Sequence, residues 1–148
     1  MAATATPQEN KRTARRFPEE VATAGNIDLI DEICTEDVID RSPFGVLEGR
    51  DALKEQMRML NEAFSDFTVT VDQAIAEDDT VGVRVTIRGT HDGPFWGIEP
   101  TGTEVEFANM AFMRFEVGKI AERWVHPDMV GMLRQLGVDT IPEAPPVE

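Results

Sequence analysis

Two hydrophobic periods divide the chain. Up to about residue 64 the apolar positions recur every three or four residues, and beyond it they recur every second residue. In ENKRTARRFPEEVATA (9–24), Phe17 and Val21 stand i,i+4 on one face, which predicts a helix that kinks or restarts at Pro18. Gly25-Asn26 ends that segment, and NIDLIDEIC predicts a second short helix with Ile27, Ile30 and Cys34 inward. EDVIDRSPFG reads as a short extended piece ending in a turn. From Gly49 to Phe64 the stripe of Leu53, Met57, Leu60 and Phe64 predicts an amphipathic helix.

The period then drops to two. Phe67, Val69 and Val71 alternate with polar residues, as do Val81, Val83, Val85 and Ile87 after the acidic turn at 77–79. These are two antiparallel strands with one buried face. Residues 103–117 predict a long third strand, Gly118 a turn, IAERWVHP a fourth strand, and DMVGMLRQLG a short closing helix stopped by Gly137. Helices first and antiparallel strands afterwards give an α+β order, a curved sheet wrapped around N-terminal helices. The boundaries read as a flexible start at 1–8, one domain at 9–138 and a proline-rich, disordered tail at 139–148.

One stretch escapes both periods. GTHDGPFWGIEPTG (89–102) carries four glycines and two prolines, so it is neither helix nor strand. No lysine follows its glycines and it opens no helix, which excludes a phosphate cradle. Phe95, Trp96 and Ile98 argue for an ordered loop, with His91 near a pocket rim and the hydrophobes covering its mouth or a subunit seam.

Charge narrows the partners. The 28 Asp plus Glu against 14 Lys plus Arg give a net charge of −14, which repels nucleic acid and anionic membranes. The acid is scattered along the chain, and one reading is adaptation to a high-salt cytosol. A lone cysteine, no long apolar run and no hydrophobic leader predict a soluble, cytoplasmic protein. Two histidines without a metal-ligand spacing predict no metal site.

Candidate chemistry concentrates near the end of the fourth strand. Strict alternation places Trp124, His126 and Asp128 on one face, unless Pro127 introduces a bulge. A carboxylate beside aromatic walls suits general acid/base work, while Asp at the start of a helix equally suits an N-cap. On the third strand Asn109 interrupts the apolar series Val105, Phe107, Ala111, Met113 and Phe115, and must find a partner or a ligand. Met110 and Phe112 face the other way with Arg114, apolar enough to pack under helices or on a second subunit.

GTHDGPFWGIEPTG followed by FMRFEVGKIAERWVHPDMVGMLRQLG resembles the SnoaL-like polyketide cyclase (ester cyclase) family of the nuclear-transport-factor-2-like (NTF2-like) superfamily. The upstream NKRTARRFPEEVATAGNIDLIDEI and GRDALKEQMRMLNEAFSDFTVTV runs extend the likeness to nearly the whole chain. The resemblance implies an NTF2-like cone, a homodimer through the sheet and an apolar pocket without cofactor. It implies intramolecular aldol closure of a polyketide ester, with Asp128 as general acid/base and His91 bordering the pocket as a second catalytic residue, a hydrogen-bond donor alongside Asn109. Phe95, Trp96, Phe107, Asn109, Trp124 and His126 are then the candidate substrate contacts, and a small apolar carbonyl compound the expected partner. The family often has a tyrosine where Pro18 stands, and a histidine or acid near VIDRSP, where Asp40 and Arg41 are possible substitutes. The same scaffold carries isomerases, dehydratases, epoxide hydrolases and non-catalytic binding or stress-associated domains, which stand as alternatives.

Overall fold

The computed structural model describes residues 5–138. The expected tail at 139–148 lies outside the described residues. Helix α1 (Pro7–Arg16) starts earlier than the sequence suggests. Thr6 and Glu9 form a reciprocal capping box, and Pro7 fills a first-turn position that needs no N–H. The helix does not break at Pro18. It widens into a π-helical segment over Phe17–Thr23, which accommodates a residue lacking its N–H and crowding the carbonyl one turn back. Thr23 closes the segment, its hydroxyl donating to the Pro18 carbonyl at 2.8 Å and accepting from the Val69 N–H at 2.8 Å.

A short 3₁₀ turn (Ile27–Leu29) leads into α2 (Ile30–Ile33). Cys34 is not on that helix; it is the buried first residue of β1 (Cys34–Ser42), where burial pushes its thiol up to about 11. Next come β2 (Gly45–Glu48), α3 (Arg50–Ala63), β3 (Phe64–Glu77), β4 (Thr80–His91), β5 (Glu104–Glu116), β6 (Lys119–Pro127) and α4 (Met129–Gln135). The six strands form one sheet in the order β2-β1-β6-β5-β4-β3. All neighbours pair antiparallel except β1 and β6, which run parallel. The chain thus has the α+β architecture that the resemblance implies, its curved, unclosed sheet holding α1, the π-helical turn and α3 against one face.

One irregularity decides which side chains face inward on β6. The β5–β6 hairpin pairs Phe115 with Ile120, then Arg114 with Glu122, so Ala121 is an extra residue opposite none. Such a bulge flips every side chain after it. Ile120 and Ala121 are both buried, and from there Arg123, Val125 and Pro127 turn inward. Trp124 and His126 lie on the outer face, opposite Phe112 and Met110 respectively.

Candidate active site

Between the sheet and the helices lie two adjoining cavities. The first, of about 100 Å³, reaches from Phe17 and Pro18 down to α3 and across the inner face of β4, β5 and β6. Its polar lining is Asp40, Ser42, Gln56, Asn109 and Arg123. The second, of about 80 Å³, lies toward the long loop and α4 and is walled by Phe64, Phe95, Val105, Phe107, Met129 and Met132. Phe44, Leu60, Phe67, Ile87, Asn109 and Val125 line both.

The polar pole of the first cavity is an ion pair. Register places Asp40 of β1 beside Arg123 of β6, and Nη1 of Arg123 donates to Oδ1 of Asp40 at 2.6 Å. Both side chains are nearly enclosed, 5% and 11% exposed. The guanidinium carbon sits 3.8 Å from the centre of the Phe17 ring, a cation–π contact that fixes its plane. Nε of Arg123 has no acceptor among the described residues. Arg41, one residue on, faces outward over Trp124 and binds Glu122, whose carboxyl Arg41 and Arg114 hold below its usual range.

Asn109 is the other polar group. It occupies an inward position on β5 between Phe107 and Ala111, and its Oδ1 is buried without a partner among the described residues. This is the sequence-predicted contact that the structure places most centrally, since it borders both cavities. Phe95 and Phe107 also line the second cavity, as expected.

The remaining candidates are elsewhere. Asp128 is exposed and folds back on α4, where its Oδ1 accepts from the Gly131 N–H at 2.9 Å. It lines neither cavity, although its chain neighbours Pro127 and Met129 do. Of the two roles the sequence allows it, the structure displays the helix cap. Trp124 and His126 are outside because the Ala121 bulge inverts the alternation on which the inward reading rests.

His91 is fully buried, not at a rim. Its Nδ1 accepts from the Thr101 N–H at 3.2 Å and lies 3.0 Å from the Thr101 hydroxyl, which places the proton of the neutral ring on Nε2. The ring is tilted against Phe64 at 5.5 Å, and the His91 backbone bonds Thr103 and Gly102. His91 therefore ties the two ends of the loop together. Within that loop Trp96 and Gly97 both have positive φ, and form a two-residue turn between bridged Phe95 and Ile98. The turn buries Phe95 and leaves Trp96 half exposed, edge-on to Phe44 at 5.1 Å.

Sequence reasoning missed Arg123 and the depth of Asp40. Asp40 carried a signal, a carboxylate directly after Val38 and Ile39 in an extended segment. For Arg123 the only signal was the strand parity, which the bulge reverses.

The sequence that builds this site also matches a family model. The model for SnoaL-like polyketide cyclases matches residues 12–136. The chain belongs to the SnoaL-like polyketide cyclase family. Among solved structures it is similar to AclR of Streptomyces galilaeus, a proposed hydroxylase, at 27% identity over 95% of this chain and 87% of that one, TM-score 0.80. It is also similar to IdmH of Streptomyces antibioticus, a proposed polyketide cyclase, at 28% identity over 87% and 99%, TM-score 0.76. An LEH-like epoxide hydrolase of M. tuberculosis shares the fold at 18% identity over 88% and 90%, TM-score 0.70. No curated protein matches the sequence. Among the described residues no helix is long and apolar enough to cross a membrane.

Proposed function

We propose that this SnoaL-like protein is a cofactor-independent acid/base enzyme that closes a ring in a small carbonyl compound. The observation that carries the reading is a buried carboxylate, Asp40, lining an otherwise largely apolar cavity. Oδ1 of Asp40 is taken by Arg123, so Oδ2 is the oxygen free to act. In the proposed reaction Oδ2 removes a proton α to a carbonyl, and the carbanion carbon bonds to a second carbonyl carbon of the same molecule. That carbonyl's π pair becomes an alkoxide, which takes the proton back. Negative charge develops beside the Arg123 guanidinium in a water-poor cavity, where a fixed cation is worth more than in solvent. Asp128, the base by family resemblance, acts in this reading by capping α4, whose Met129 and Met132 wall the second cavity.

The two carboxylates are separable by experiment. With 2,6-heptanedione as substrate, formation of 3-hydroxy-3-methylcyclohexanone is followed by NMR and normalised to the folded fraction. Asp40→Asn is expected to lose about 10²–10⁴-fold in rate, the usual contribution of a positioned acid/base group. Asp128→Asn keeps a good N-cap and is expected to lose less than about tenfold. The opposite ranking returns the chemistry to Asp128. The exposed position of Asp128 favours a second reading, a non-catalytic binder of small molecules, and wild-type binding without turnover across a panel of dicarbonyls selects it.

We propose further that two copies pair through the sheet. Ile75, Met110 and Phe112 are more than half exposed on its outer face, and Phe112 packs over Gly82, whose missing side chain makes room. Phe112→Arg is expected to shift a dimer to monomer in sedimentation velocity without altering the circular dichroism; a wild-type monomer overturns the pairing.

A further inference from the structure

Resting on the reading of this cavity as a substrate pocket, we infer that Asn109 selects a carbonyl in the interior of the ligand, with one arm in each cavity. Two observations carry this. Asn109 lies at the waist, lining both cavities. Its side-chain oxygen is buried and has no partner among the described residues. Such a group is left costly unless something else meets it. The amide offers a donor and an acceptor, and O and N exchange places by a simple flip, so it serves a carbonyl or its enol equally.

The two arms differ in chemistry. The first cavity ends at Asp40 and Arg123 with Ser42 and Gln56 nearby, so the arm entering it carries an oxygen. The pair is neutral as a whole, which favours a hydroxyl or second carbonyl there over a charged group. The second cavity is walled mainly by apolar side chains, Arg88 at its edge being paired with Glu106, and takes plain hydrocarbon. At about 100 and 80 Å³ the cavities fall below the roughly 300 Å³ at which drug-sized pockets begin. The ligand class is therefore a short, open or single-ring amphipathic carbonyl compound.

Isomeric ketones isolate the carbonyl position from hydrophobicity. The probes are 5-nonanone and 2-nonanone, titrated into wild-type protein and each variant and followed by NMR at the methyl groups of Met129 and Met132, which wall the second cavity. One recovered hydrogen bond is worth about 1.4 kcal/mol, so 5-nonanone is expected to bind about tenfold more tightly than 2-nonanone. In Asn109→Leu the waist keeps its bulk but loses its polarity, and the difference should vanish. Asn109→Ala serves the same comparison if the leucine variant does not fold. Equal affinities in the wild type, or a preference that survives either substitution, overturns the inference. Neither readout depends on turnover, so loss of the catalytic proposal leaves this result standing, and the reverse holds too.

Discussion

Replacing Asp40 by leucine is expected to lower the unfolding free energy by about 3–5 kcal/mol, far more than a surface ion pair would contribute. The cause is what remains. Arg123 would keep its charge in an enclosed site between Phe17 and β1, with no acceptor on Nη1 as well as none on Nε. Arg123→Met strands Asp40 in the same way. The double variant Asp40→Leu/Arg123→Met removes both charges and is expected to recover most of the loss, since an apolar pair of similar volume often replaces a buried ion pair at little cost. Urea denaturation of the four proteins gives the coupling. Additive single losses would show that the two groups do not depend on each other.

Phe95→Ala should be nearly as damaging, about 3–5 kcal/mol for an aromatic ring lost from a filled site. Phe95 is 2% exposed and meets Phe44 at 5.8 Å and Phe64 at 5.2 Å, so it pins the long loop to both β1–β2 and β3. It also walls the second cavity, which would open toward solvent. Guanidinium unfolding measures the loss. Amide exchange at Gly102 and His91, whose N–H groups bond His91 and Thr103 across the loop base, shows whether the loop has loosened. A loss below about 1 kcal/mol would mean that the loop is held by its glycine contacts instead. Those contacts are close: Gly93 lies over the end of α3, where an added Cβ would strike the Glu62 carbonyl oxygen.

The helical stripe of α3 and the alternations of β3, β4 and β5 were legible because each buries one face on a single period. The inward series on β5 is as the spacing predicts, with Asn109 among the cavity-lining residues. Two things were not legible. Strand β1 is polar at six of its nine positions and its partner β6 lies far along the chain, so the sequence announces a short extended piece there but not its length or its place in the sheet. The face of β6 was not legible either, because both parities carry large side chains and one extra residue at Ala121 exchanges them. That single insertion moves Trp124 and His126 outside and brings Arg123 to Asp40. The hairpin turn at Val117-Gly118 fixes the starting register, so a bulge search from that turn is the signal that would have found the pole.

The parallel pairing of β1 with β6 also sets when the pocket can exist. The Asp40–Arg123 bond joins residues 83 apart, and closing a loop of that length costs roughly 4 kcal/mol in chain entropy. Every strand pair from β3 to β6 is a hairpin or near-hairpin that can zip from its turn. The pole waits for the two ends of the sheet sequence to meet. A growing chain on the ribosome therefore has no binding site until β6 has emerged, and ligand present during synthesis stabilises only the finished molecule.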